Sequence, residues 1–89
     1  MATVVFTQNL RRHVDVERVA ANGTTVNEVL GQVFEQYPRL RGYLLDDTGA
    51  ARTHIALLVD GQSITDRQGL SDPVAEDSKL FVVQALSGG

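Results

Sequence analysis

The last six residues, QALSGG at 84–89, hold the most suggestive chemistry in this chain of 89 residues. They follow an apolar run, KLFVV, and end on two glycines, so a terminal carboxylate sits at the tip of a segment with no side chains. Little else offers a reactive group. There is no cysteine, which removes disulfides, a thiolate nucleophile and thiolate metal ligands together. His13 and His54, the only two histidines, lie far apart in sequence and no carboxylate cluster accompanies them. Zinc needs several convergent ligands, so no metal site is expected. Gly-x-Gly phosphate loops are absent, and Arg11-Arg12 is too small for a nucleic-acid site. No catalytic residue and no bound cofactor are expected.

Composition bounds the context. Hydrophobic residues make up 43% and charged residues 21%, ordinary values for a globular protein. The length suits one domain over 1–89, burying roughly two-thirds of the surface of the unfolded chain. The formal net charge of −3 argues against a nucleic-acid partner, which would call for a basic face. Lys79 is the only lysine; the other cationic side chains are arginines spread along the chain. The N-terminus, MATVVFTQNLRR, places its charges after the apolar stretch, the reverse of a secretory signal. No apolar run approaches the roughly 18 residues of a membrane span. The expectation is a cytoplasmic protein without membrane contact.

The elements that must position the tail can be read from periodicity. TVVFT (3–7) is β-branched and aromatic, the composition of a strand. In HVDVERVAA (13–21) Val14 and Val16 alternate with polar residues, which predicts a second strand with one wet face. The two are close enough for a hairpin turning around residues 8–12. In TVNEVLGQVFEQYP, Thr25 and Glu28 have capping-box spacing. Val26, Val29, Leu30, Val33, Phe34 and Tyr37 then form one stripe of an amphipathic helix. Pro38 should stop it. Gly31 costs this helix about 1 kcal/mol relative to alanine, and close backbone approach would explain it. A short strand is expected at 43–45 and a longer one at 54–59. Asp60-Gly61 is a type I′ hairpin signal, with a short strand possible after it at 62–64. TDRQGLSDPVAEDS connects to the last strand, KLFVVQAL.

The predicted order, ββαββ, gives an α+β domain: a mixed sheet of four or five strands covered on one face by one helix. Parallel pairing of the first and last strands in mid-sheet would bring the chain's end out of the centre. With Leu80 and Val82 turned toward the helix, pleating puts Phe81 and Val83 on the open face. Ile55, Leu57 and Val59 would likewise point inward and Leu58 outward. Leu58, Phe81 and Val83 then make an apolar patch beside the tail, and such patches commonly mark interaction sites.

This chain resembles the ubiquitin-like β-grasp family over its whole length. DGQSITDRQGLSDPVAEDSKLFVVQALSGG looks like the end of the bacterial sulfur carriers of the ThiS/MoaD type. In those an acidic, DGD-like turn precedes the final strand and SGG or TGG closes the protein; here the turn reads AEDS. The insert RLRGYLLDDTGAARTH (39–54) is similar to the cysteine-biosynthesis and molybdopterin carriers rather than to the shorter thiamine carrier.

The resemblance implies a carrier, not an enzyme. An ATP-dependent activating enzyme would adenylate the Gly89 carboxylate, and sulfide would displace AMP to leave a thiocarboxylate. That sulfur would pass to a biosynthetic enzyme for molybdopterin, cysteine, thiamine or a secondary metabolite. ATP belongs to the activating enzyme. The tail of Leu86, Ser87, Gly88 and Gly89, within a flexible segment 85–89, would thread the enzyme's channel. Glycine suits such a channel because it lacks a Cβ and reaches angles closed to other residues. The family presents its partner-binding patch at the positions of Leu58, Phe81 and Val83. The free protein is expected to be a monomer. Asp46-Asp47 and Asp72, Glu76 and Asp77 read as solvated turns or as an acidic rim for arginines of the activating enzyme. The alternative function is a ubiquitin-like modifier that forms isopeptide bonds to lysines through the same terminus.

Overall fold

A computed structural model describes residues 1–7 and 16–84. Strand β1 (Ala2–Phe6) alternates buried and half-buried residues from end to end. Its partner β2 (Arg18–Ala21) pairs antiparallel to it, with Val4 opposite Val19 and Val5 opposite Arg18. The predicted turn and residues 13–15 lie outside the described residues. Val16 packs against the core from just before β2, but the strand begins only at Arg18 and buries Val19 and Ala21, one residue out of phase with the alternation predicted from Val14 and Val16.

Helix α1 (Val26–Gln36) begins where the capping residues place it. Thr25 Oγ1 accepts the Glu28 N–H at 3.2 Å. The returning carboxylate reaches one residue further back than in the usual box: Glu28 Oε1 accepts Thr24 N–H at 2.7 Å and Thr24 Oγ1 at 2.9 Å. Two more donors of the first turn are met by a distant loop, Val26 N–H by the Asp72 carbonyl and Asn27 N–H by the Leu70 carbonyl. The 65–72 connection therefore satisfies the orphan groups that every helix N-terminus exposes.

The inner stripe of α1 is shorter than the sequence pattern suggests. Val26, Val29, Leu30 and Val33 are fully buried and Phe34 is partly so, but Tyr37 is 38% exposed at the C-cap. Gly31 lies on the outer surface, where an added Cβ would meet nothing within 4 Å. Close backbone approach does not explain it.

One expectation is overturned directly after Pro38. Instead of a strand at 43–45 there is a second helix, α2 (Arg39–Leu44). Pro38 ends α1 and also starts α2: its φ of −58° is already helical, and a helix start has no use for the N–H that proline lacks. Leu40 and Leu44, four residues apart, are both buried while Gly42 midway between them is exposed, which a helical period allows and a period of two does not. Only Leu45 is extended, in an isolated bridge to Ala51. The sheet is thus covered by two helices rather than one.

Strands β3 (Ile55–Val59) and β4 (Gln62–Ser63) form the expected hairpin. Asp60 and Gly61 between them have φ of 51° and 90°, the positive values a type I′ turn demands. Strand β5 (Lys79–Gln84) closes the sheet in the order β2-β1-β5-β3-β4. It runs parallel to β1 and antiparallel to β3. The fold is the α+β β-grasp arrangement, a mixed five-stranded sheet with its helices on one face.

Candidate docking face

Strand β5 carries the site, and its first residue is set by a network at the hairpin turn. Asp60 Oδ1 accepts Lys79 N–H and Asp60 Oδ2 accepts Ser78 Oγ, each at 2.9 Å. Ser78 Oγ in turn accepts Ala75 N–H at 3.0 Å. Ser78 is the one buried polar residue among those described, 3% exposed. The Lys79 N–H and the Ser78 hydroxyl hold the Asp60 carboxyl below the ordinary aspartate value of 3.8. This clamp joins the β3–β4 turn to the acidic AEDS turn and fixes the residue at which β5 enters the sheet. Everything downstream then alternates from a defined origin.

Pleating does the rest. Leu80 and Val82 are fully buried against the helices, while Phe81 and Val83 lie on the other face and are half-buried. Leu58 stands directly opposite Phe81 across the β3–β5 ladder, and Ala56 opposite Val83. The structure therefore brings Leu58, Phe81 and Val83 together on one open face. Val5 completes the cluster from the parallel side, paired with Phe81. Sequence reading missed Val5, although its place between buried Val4 and Phe6 was a usable signal once β1 and β5 were taken as neighbours. It also missed Arg18 and Lys79, which the register puts on this face opposite Val5 and Thr3. Val5, Leu58, Phe81 and Val83 are each half-buried.

The remaining predicted site residues, Leu86, Ser87, Gly88 and Gly89, lie outside the described residues. Strand β5 is described to Gln84, which pairs with Ile55, and it is the central strand of the sheet. Thr7 Oγ1 is buried without a hydrogen-bond partner among the described residues, one residue past the Phe6–Val82 pair.

The acidic turns have internal duties. Asp46 accepts Thr48 Oγ1, Thr48 N–H and Ala50 N–H, and these bonds hold its carboxyl below 3.8. Asp72 accepts the N–H groups of Thr65 and Asp66, with the same downward effect. These carboxylates brace loops, and neither belongs to the strands of the open face. No group of three or more His, Asp or Glu side chains among the described residues could hold a metal ion. No helix among them is long and apolar enough to cross a membrane.

A five-stranded mixed sheet with parallel β1 and β5 at its centre and helices on one face defines a ubiquitin-like β-grasp protein. The model of the ThiS family matches residues 4–89, and the chain belongs to that family. Among solved structures it is similar to one described as the BexX/CysO complex of Amycolatopsis orientalis, with 24% identity over 100% of both chains and a TM-score of 0.85. Mycobacterium tuberculosis CysO matches at 21% identity over 97% of this chain and 100% of that one, with a TM-score of 0.82. The small archaeal modifier protein 1 of Methanosarcina acetivorans matches at 21% identity over 99% and 95%, with a TM-score of 0.81. Identities this low establish the shared fold. No curated protein matches the chain significantly.

Proposed function

We propose that this protein carries sulfur on its C-terminal carboxylate. In the first step the Gly89 carboxylate attacks the α-phosphate of ATP on an activating enzyme, forming an acyl adenylate and releasing pyrophosphate. In the second, sulfide attacks the acyl carbon, the C–O bond to AMP breaks, and a thiocarboxylate remains. A biosynthetic enzyme then accepts the sulfur. The carrier supplies no acid, base or nucleophile to this sequence; it presents a reactive end.

The observation that carries this reading, together with ThiS family membership, is the placement of β5. Its described end lies at mid-sheet, and its open face joins Leu58, Val5 and Val83 around Phe81. A partner covering that face would hold the residues beyond Gln84 within its own reach. The BexX/CysO complex is a precedent for a related fold assembled with another protein.

The likeness to a small archaeal modifier protein favours a second reading, in which a lysine amine displaces AMP and an isopeptide bond forms. Incubation with an adenylating enzyme, ATP and a sulfide source separates the two. The carrier reading expects replacement of one oxygen by sulfur, detected by mass spectrometry in the C-terminal peptide alone. Adducts on lysines of other proteins, with no thiocarboxylate, would establish the modifier instead. Deleting Gly89 should abolish pyrophosphate release in either case. Near-attack geometry allows reacting atoms only about 3–3.5 Å of separation, and one residue spans about that much. Continued adenylation of the shortened chain would overturn both.

A further inference from the structure

The helix layer, on the other side of the sheet from the open face, sorts its charge by element. The outermost positions of α1, opposite its buried stripe, are Glu28, Gly31 and Glu35, all exposed. No cation lies on that helix, whereas α2 carries Arg39 and Arg41 and no carboxylate. Glu28 Oε1 is committed to Thr24. The side chains of Glu35, Arg39 and Arg41 have no hydrogen-bond or ion-pair partner among the described residues. Glu35 and Arg39 have the four-residue spacing of a helical ion pair, but Tyr37, with φ −132° and ψ 74°, breaks the helix between them. Shape is sorted in the same way. Gly31 leaves α1 with an open groove that runs past Gly23, Glu28 and Glu35. The two exposed aromatic rings among the described residues, Tyr37 and Tyr43, stand just before α2 and on it.

We propose that the helix layer is the contact surface of a two-fold homodimer, with α2 of one copy packed on α1 of the other. Arg39 and Arg41 then meet Glu35 and the second carboxylate oxygen of Glu28 across the contact, and a tyrosine ring enters the groove that Gly31 leaves. A second copy is the occupant because it matches both halves of the surface. A purely acidic partner would answer Arg39 and Arg41 but set like charge against Glu28 and Glu35, and a nucleic acid would do the same. The two-fold arrangement also closes. Each copy gives α1 once and α2 once, so every pairing occurs twice, whereas head-to-tail contact would grow a filament. Exposed ion pairs are individually weak and are screened by salt, so the association is weak and salt-sensitive. This dimer replaces the monomer expected from the sequence. It covers the side of the sheet that the carrier reading does not use and does not depend on that reading.

Analytical ultracentrifugation of the full chain over a range of concentrations tests this. The wild-type chain should sediment as a monomer when dilute and as a dimer when concentrated, and sodium chloride should shift it back toward monomer. Glu35→Arg makes α1 carry a cation opposite the arginines of α2. Arg39→Glu with Arg41→Glu makes both helices acidic. Each variant alone should stay monomeric, with a melting curve in dilute solution like that of the wild type. An equimolar mixture of the two should restore the dimer, since each offers the charge the other lacks, and a folding defect could not be rescued in this way. Gly31→Phe should fold and lose the dimer because its own ring fills the groove. Phe81→Asp, on the open face, should leave the dimer unchanged. A wild-type chain that is monomeric at every concentration would overturn the proposal, as would a mixture that fails to dimerise. Species larger than a dimer would overturn the closed two-fold contact. Loss of the dimer in Phe81→Asp, with Arg39→Glu/Arg41→Glu still dimeric, would overturn it by moving the contact to the sheet.

Discussion

Leu80 and Val82 are wholly buried, while Phe81 and Val83, alternating with them on the same strand, are half-buried and face away from both helices. All four are apolar and all belong to one central strand. On the inner side the apolar character is consumed by packing against α1, α2 and the other strands. On the outer side the ladder neighbours among the described residues are Val5, Leu58 and Ala56. Hydrophobicity that the fold does not use internally is available for association. The two faces of β5 therefore separate what keeps the domain folded from what it presents to others.

Four measurements test that separation. Leu80→Ala should have the largest effect, a loss of about 2–5 kcal/mol in chemical denaturation, as expected for a buried leucine. Phe81→Asp should cost the fold less than that and instead weaken partner binding by about 2 kcal/mol, roughly thirtyfold. If Phe81→Asp unfolds the domain while Leu80→Ala is tolerated, the assignment of faces is reversed.

Acidification acts on the clamp that sets which residue falls on which face. The Asp60 carboxyl is held below 3.8 by Lys79 N–H and Ser78 Oγ. A group whose pKa is depressed by folding contributes stability above its unfolded value, and this is lost as pH falls through the folded one. Melting temperature should therefore decline from about pH 4 downward, and Asp60→Asn should remove part of that decline. Asp46, Asp66, Asp72 and Glu28 are depressed for similar reasons, so the remainder should persist. A wild-type melting temperature that is flat across this range would contradict the bracing role of these carboxylates. The smallest effect belongs to Gly31, on the outer surface of α1 with free space around it. Gly31→Ala should stabilise the domain by up to about 1 kcal/mol without altering adenylation. Destabilisation would mean that the outer surface of α1 is not free.

Much of this was legible because local chemistry was unambiguous. Thr25 and Glu28 announced the start of α1, and Asp60-Gly61 announced a turn whose positive φ values few other pairs tolerate. The alternation in KLFVV assigned faces correctly as soon as one residue was known to point inward. The failure at residues 39–44 has an equally local cause. RLRGYL is too short for its period to distinguish helix from strand, and Pro38 signals both the end of one helix and the start of another. Tyr37 has the spacing of the α1 stripe but falls at the C-cap, where the chain turns away and leaves it in water.

By itself the sequence determined the types of the elements outside residues 39–44, the turn at Asp60-Gly61, the two faces of β5 and the diglycine at the end of the chain. These depend on residues near one another in the chain, whose spacing and backbone preferences carry the signal. Tertiary structure alone decided that the loop carbonyls of Leu70 and Asp72 cap α1, that Asp60 locks Ser78 and Lys79, and that Arg18, Val5, Phe81 and Leu58 stand in one row. Each of these joins residues far apart in the chain. Their meeting is fixed by strand order and register, which follow from how the whole core packs.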